Sequence, residues 1–433
     1  MKFDFLDRSG AAARAVDQLR GETVWLDDRR IPGTLGRVVS ARSADLLSLA
    51  MCCYAADRVA LRPASWRREL HLRIPVADAR AFRHAIPELE RWLCAITDDR
   101  WRLELVTRRM PRGGESQLVL GLPDREWDAV GLFSGGLDSF AGAAVWLDAN
   151  RDGGLVLVGA QSSTVVAAVQ RRLAARLQRS YPGRVVLVGI PLHLEATLSR
   201  DSWQRSRAFL FQVLAAVVAQ VAMARAVLVF ENGYGALNPR LGEHQAGSQA
   251  AKSAHPRVLE AWTRWARSVG YDVAVALPHR WDTKAELVAR IPFDLRVGIA
   301  ETESCDAFPL HRHDVKQCGC CGSCVLRRQS VVAAGLATYD RIDYARDPLG
   351  GSDVARLMAY QAWQFQRLTS EAVPLLHVRW PELAMEAAGG ATLEAEMNLA
   401  LLHRYGAEWA ALAESDASVA RAVGWGPGTA EAA

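Results

Sequence analysis

Between residues 128 and 276 the apolar positions fall into short, nearly unbroken runs, separated by longer stretches of helical period. The runs 129–133, 155–159, 185–190, 226–230 and 272–276 predict strands, with helices near 137–147, 165–177, 207–224 and 257–268. Strands written as continuous Val, Leu and Ile are those buried on both faces. Their alternation with helices implies βαβ units and a parallel sheet. The flanks are patterned differently. A helix near 44–56, the alternating run Glu69-Leu-His-Leu-Arg-Ile-Pro75, an amphipathic helix near 77–95 and a second alternating run over 100–106 predict an α+β unit. Pro111-Arg-Gly-Gly114 and Gly121-Leu-Pro-Asp124 read as loops that close it. Beyond Tyr339 the pattern is helical, strongest over 393–412, with Pro348, Pro374 and Pro381 as breaks and a Gly/Ala/Glu-rich end that reads as frayed. The expected organisation is an N-terminal α+β extension (1–125), an α/β centre (126–340) and a helical C-terminal region (341–433).

The chain has 433 residues, half of them hydrophobic and 23% charged, which is a globular composition. Its net charge of +4 comes from residues 1–127, with 22 basic and 18 acidic side chains; the remainder balances at 30 against 30. That balance argues against a dedicated nucleic-acid-binding surface. Only four of the 52 basic residues are lysines (Lys2, Lys252, Lys284, Lys316), a bias that reads as genome composition. The first residues show neither a basic n-region nor an apolar h-region, so no signal peptide is expected. The uncharged stretch 208–224 contains Gln212 and Gln220 and runs directly into a predicted strand, which makes it a core helix rather than a membrane span. A soluble cytoplasmic protein without nucleic-acid or membrane partners is expected.

Chemistry concentrates in two motifs. The first is Val130-Gly-Leu-Phe-Ser-Gly-Gly-Leu-Asp-Ser139, which follows the first central strand and opens the first helix. In an open α/β sheet ligands bind at the carboxyl ends of the strands, so a nucleotide would sit at this turn. Gly135 and Gly136 let the backbone bend around an anion, and free amides at the start of a helix favour phosphate. Ser134 and Ser139 supply hydroxyls, and Leu137 lies between them on the loop. Asp138 would repel a bare phosphate unless Mg²⁺ lies between them. No Gly-Lys-Ser/Thr follows the glycines, which excludes a Walker A loop, and the third glycine of a Rossmann fingerprint is missing.

The second motif is Cys318-Gly-Cys-Cys-Gly-Ser-Cys324. Five of the eight cysteines lie between Cys305 and Cys324, a clustering that suggests metal rather than a disulfide framework. Cys305, Cys318, Cys321 and Cys324 would make a closed tetrahedral Zn²⁺ site of structural type. A Cys₃His set drawing on His311 or His313, another metal, and unligated thiols are the alternatives; Cys320 reads as a bystander.

Ser-Gly-Gly-x-Asp-Ser after a strand resembles the PP-loop of the ATP pyrophosphatases, and so implies their adenine nucleotide α-hydrolase-like fold, a parallel sheet with helices on both faces. Combined with Cys305, Cys318, Cys321, Cys324 and Arg327 at Cys-x₁₂-Cys-Gly-x-Cys-x-x-Cys-x-x-Arg spacing, the chain resembles the QueC family of 7-cyano-7-deazaguanine synthases. Gln161 stands where that family has Tyr-Gly-Gln, Arg207 opens the long helix like its Gly-Arg-Asn, and Trp281-Asp-Thr-Lys-Ala-Glu286 is similar to its Trp-x-x-Lys-Ala-Glu segment. The resemblance covers residues 128–339, about half the chain. The departures fall around the base pocket: Gly159-Ala-Gln-Ser-Ser163 lacks the family's Asp and basic residues, Ala208 replaces its Asn, and Glu231-Asn-Gly-Tyr-Gly-Ala-Leu-Asn-Pro-Arg240 replaces its Asp and Ser-Gly-Tyr-Pro-Asp-Cys. The flanks are also absent from the ordinary short enzyme. Long QueC-like proteins of this build occur in bacterial antiviral operons of the Qat and type IV CBASS kinds.

The resemblance implies ATP, Mg²⁺ and Zn²⁺ as cofactors, and a C–N ligase that adenylates a 7-deazaguanine carboxylate and joins it to an amine. That amine is ammonia on the way to a nitrile, or an amine on a partner protein of the same operon. Ser134 to Ser139 and Gln161 would then bind ATP, and Asp138, Lys284 and Arg207 would act in catalysis. Glu231 and Asn232, just after the fourth central strand, would read the base edge. Each has a plainer reading: Lys284 and Arg207 as solvated helix-start charges, Gln161 as a loop hydrogen bond. His255 and His279, beside prolines, read as structural. The competing functions are a PP-loop tRNA-modifying ligase, which the charge balance disfavours, and a non-catalytic nucleotide-binding scaffold of a defence complex.

Overall fold

The computed structural model describes residues 1–6, 18–20, 24–108, 126–195, 201, 204–242, 252–308, 317–369, 380, 383 and 392–425. The expected loops at 111–114 and 121–124, His311, His313, Pro374, Pro381 and the C-terminal tail lie outside the described residues.

The chain builds two sheets. The first carries β1 (Lys2–Leu6), β2 (Gln18–Arg20), β4 (Glu69–Val76) and β5 (Arg100–Thr107) in the order β2-β1-β4-β5. Along β4 the alternation seats Leu70, Leu72, Ile74 and Val76 in the core and leaves Glu69, His71 and Arg73 in solvent. All its pairings are parallel, although alternation of this kind is more usual in antiparallel sheets with one wet face. The helix expected over 77–95 is two helices, Arg80–Arg83 and Ile86–Thr97. Pro87 stands in the first turn of the second, where its missing N–H breaks no helical bond.

The second sheet has the order β10-β9-β6-β7-β8-β3, with β3 (Val24–Leu26), β6 (Ala129–Leu132), β7 (Leu155–Gln161), β8 (Val185–Leu194), β9 (Ala226–Leu228) and β10 (Ala274–Ala276). Pairing is parallel from β10 through β8. The chain moves from β6 outward through β7 and β8, then returns to the other side of β6 for β9 and β10. The reversal of strand order falls between β6 and β9, and in such sheets the crevice at that point takes the ligand. Both faces are covered. Val130, Val156, Val158, Val188 and Val227 pack with the helix Arg207–Ala222, while Ala129, Leu155, Leu157 and Leu228 pack with the helices Leu137–Ala149 and Thr164–Ser180.

The flanks are joined to this centre. β3 of the N-terminal segment pairs antiparallel with β8, so that segment contributes the last strand of the central sheet. The helix Ala41–Val59 and Trp92 share one core with Phe209, Trp262 and Trp265. In the C-terminal region the helices Asp353–Gln366, Thr392–Ser415 and Ala417–Val423 pack on Tyr234, Leu237, Val325 and Leu326. Among the described residues no helix is long and apolar enough to cross a membrane; the uncharged stretch at 208–224 is a buried helix that leads into β9.

Candidate functional site

The loop after β6 turns on Gly135, whose φ of 88° is a left-handed conformation that glycine adopts without strain. A Cβ there would also come within 2.9 Å of Val169, so the close approach of loop and helix needs glycine as well. Three successive amides then face three serine hydroxyls. Gly135 N–H donates to Ser139 Oγ (3.2 Å), Gly136 N–H to Ser134 Oγ (3.2 Å) and Leu137 N–H to Ser304 Oγ (3.4 Å). Gly136 is the N-cap of the helix Leu137–Ala149 and provides no side-chain cap, so the amides at this helix start are left to such acceptors.

Asp138, in the first turn of that helix, is the centre of a charged cluster. Lys284 Nζ donates to its Oδ2 at 2.6 Å, and Asn232 Nδ2 to its Oδ1 at 2.9 Å. Asn232 caps the short helix Gly233–Leu237 by accepting from Gly235 N–H at 2.9 Å, which fixes the amide so that its NH₂ faces the carboxylates. Its second hydrogen goes to Glu231 Oε1 at 3.0 Å. One amide therefore bridges two carboxylates. Burial, then the charge of Asp138, push the Glu231 carboxyl up to about 8, against the opposing pull of Lys284. Asn232 thus spends its side-chain hydrogen bonds inside the protein, where the sequence suggests a reader of the base edge.

Lys284 is 5% exposed at its side chain and is no solvated helix-start residue. It is the first residue of the helix Lys284–Ala289, which Thr283 and Glu286 start with a reciprocal capping box. The preceding segment is docked on the Asn232 turn, with Gly233 N–H donating to Asp282 O at 2.8 Å. A side chain at Gly233 would meet Arg280 O at 2.1 Å, so this turn too requires glycine.

The other expected residues take no part in the hydrogen bonds of the Asp138 cluster. Arg207 opens its helix as predicted but is exposed, with its guanidinium 5.4 Å from the Phe211 ring and 3.5 Å from Gln204 Oε1. None of its hydrogen bonds reaches the Asp138 cluster. Gln161 ends β7 and lies over Gly189 of β8, where a Cβ would come within 2.2 Å of its amide. His255 caps the helix Pro256–Ser268 by accepting from Arg257 N–H, and His279 lies 3.1 Å from Asp282.

Cys305, Cys318, Cys321 and Cys324 place their sulfurs within 4.8 Å of one another, with Cys305–Cys321 and Cys318–Cys324 each 3.9 Å apart. These four thiols could hold a metal ion. Zinc–thiolate bonds of about 2.3 Å in a tetrahedron set the sulfurs about 3.8 Å apart, so the spacing is compatible with zinc. Hydrogen bonds from Cys321 and Cys324 pull the Cys305 thiol down, and the same contacts hold those two up. Cys320 stands outside the set of four, 3.7 Å from Cys318.

The cysteine cluster and the glycine loop after β6 are physically connected. Glu303 N–H donates to Gly135 O at 3.0 Å, Ser304 receives the Leu137 amide, and Cys305 follows at once. Arg327, fully buried, locks the same segment through Thr302 O, Ser304 Oγ, Ile299 O and Asp340. The sequence names Arg327 only as part of a motif and does not single out Ser304. Thr283 and Glu286 do carry a local signal, the Thr-x-x-Glu of a capping box, whereas Glu408 and Arg404, which reach the same segment from the C-terminal helix, carry none. No protein-family model matches the chain, and no curated protein matches it.

Proposed function

We propose that this protein is an ATP-dependent C–N ligase that adenylates a carboxylate, by resemblance that of a 7-deazaguanine, and passes the acyl group to an amine. The observation that carries this reading is the 2.6 Å pair of Lys284 and Asp138 beside the glycine turn at the sheet's reversal point. ATP phosphates would replace the serine hydroxyls on the amides of Gly135, Gly136 and Leu137. The substrate carboxylate attacks the α-phosphorus and pyrophosphate leaves, its growing charge met by Lys284. The amine then attacks the acyl carbon, AMP departs with the former carboxylate oxygen, and an amide remains. Ammonia as the amine, followed by a second activation, leads to a nitrile; an amine on a partner protein of an antiviral operon leads to a conjugate.

Each Asp138 oxygen keeps a lone pair beyond its bonds to Asn232 and Lys284, so Asp138 would hold the Mg²⁺ that accompanies ATP. That ion supplies charge neutralisation on the phosphates. Zn²⁺ on the four cysteines would be structural. Glu231, protonated up to about 8, can donate to an acceptor on the base edge, while Asn232 braces it. Arg207, exposed and outside the hydrogen bonds of the Asp138 cluster, would be available to a partner protein.

The test is release of AMP and pyrophosphate from ATP, with and without 7-carboxy-7-deazaguanine, with mass spectrometry of all products. Release that needs the deazapurine and vanishes in Asp138→Ala supports the ligase. No release with any acceptor, operon proteins included, leaves the non-catalytic scaffold.

A further inference from the structure

The C-terminal helix Thr392–Ser415 holds the segment that carries Lys284 at two points, one helical turn apart. Glu408 accepts from the hydroxyl of Thr283, the N-cap of the Lys284 helix, and its other oxygen accepts from Gln329 Nε2 at 3.2 Å. Arg404 donates to Glu286 Oε1 at 2.7 Å and to Trp281 O. Glu286 is the other half of the capping box, its Oε2 receiving Thr283 N–H at 2.7 Å and its own N–H reaching Thr283 Oγ1 at 3.1 Å. Both members of the box are thus gripped from outside. The hold reaches further, because Gln329 lies on the helix Gly322–Ala333 that begins within the cysteine cluster. Tyr405, between the two gripping residues, stacks on Tyr234 of the Asn232-capped helix with ring centroids 4.1 Å apart.

Arg404 and Glu408 lie at i and i+4 and so share one face of the helix. A shift of this one helix would release both ends of the capping box together, and with them the lysine that faces Asp138. We propose that Glu408 and Arg404 are positioning residues for Lys284, so that the C-terminal helix is a working part of the Asp138–Lys284 site and sets whether its cation is in place. The inference deepens the reading of that pair as the nucleotide site and rests on it for its functional meaning. It needs no activity to be tested.

Lys284 is one of only four lysines, so brief labelling with an amine-reactive reagent followed by peptide mass spectrometry reads its protection, with Lys2 and Lys252 as internal references. Loss of hydrogen bonds to a charged group should raise Lys284 labelling about tenfold in Glu408→Ala, with the reference lysines unchanged. Glu408→Gln, which keeps an acceptor for Thr283, should restore protection to within about twofold. Asp138→Asn, in which Lys284 loses its partner directly, sets the upper limit. Unchanged Lys284 labelling in a Glu408→Ala protein with native circular dichroism overturns the proposal. If Glu408→Ala does not fold, Arg404→Ala, an exposed residue, decides by the same criterion. AMP release measured in parallel reports separately on the ligase reading, since the labelling is read without nucleotide.

Discussion

Lys284 Nζ stands 2.6 Å from Asp138 Oδ2, across 146 positions of sequence. The side chains are only 5% and 18% exposed, so removing either partner leaves the other charge poorly solvated. Lys284→Met and Asp138→Asn should each destabilise the fold by about 3 kcal/mol. The double variant should recover part of that loss, giving a coupling of about 1–3 kcal/mol in urea denaturation. Both single variants should lose ATP consumption. Additive destabilisation would mean that the two charges do not sense each other in solution.

The contacts of Glu303 and Ser304 with the loop at Gly135 and Leu137 tie that loop, the proposed nucleotide site, to the cysteine cluster. Treating the protein with a chelator to strip a metal held by the four cysteines, or changing Cys321 to Ser, should free the segment 302–305. Amide exchange at Gly135 and Leu137 should then accelerate while the β7 amides at Val156 and Val158 keep their protection, and ATP affinity should fall about tenfold. Equal loss of protection in both places would indicate global unfolding, and no change at the loop would sever the proposed link.

Much of this arrangement is legible in the chain because it is local. Continuous Val and Leu runs mark β6 to β8, and the spacing of glycines and serines marks the turn at 134–139. The four cysteines announce their cluster. What escapes is whatever packing decides between distant segments. Asn232 looks like a ligand-reading amide until its cap at Gly235 turns it towards Asp138 and Glu231. Glu408 is one polar position on a 24-residue helix, and nothing near it in sequence says that it will meet Thr283. Likewise the short β3 carries too few residues to show a period, and only its antiparallel pairing with β8 reveals that the N-terminal segment completes the central sheet.

Glu231 makes stability depend on pH. Its carboxyl is raised to about 8, so between the ordinary carboxylate range and about 8 the folded protein binds more protons than the unfolded chain. Stability from this group is therefore whole at acid pH and declines as pH rises through that window. Glu231→Gln removes the titration and keeps an oxygen for the Asn232 amide. The wild-type melting temperature should fall relative to that of Glu231→Gln on going from about pH 5 to about pH 9. Parallel curves for the two proteins would mean that Glu231 titrates as an ordinary surface carboxylate.

The N-terminal segment should prove inseparable from the centre. Asp57, on the helix Ala41–Val59, accepts both the amide and the hydroxyl hydrogen of Ser206 at 2.8 Å, and so caps the start of the helix Arg207–Ala222 from outside. Its other oxygen accepts from Arg68, which also bonds Asp99 at 2.6 Å in a fully buried network. Trp92 and Trp265 exchange indole hydrogen bonds with opposite sides of the junction, to Val258 O at 2.9 Å and Ala85 O at 3.0 Å, with Phe209 packed between them. Asp57→Ala should cost about 3–5 kcal/mol, because it strips the buried Arg68 of a counter-charge and uncaps a core helix. A chain shortened to residues 126–433 would uncover Phe209, Trp262 and Trp265, each worth about 1.5–3 kcal/mol of burial, and should be recovered only as aggregate. A soluble shortened chain with a cooperative melt would show that the α/β centre folds alone and that the N-terminal segment merely rests on it.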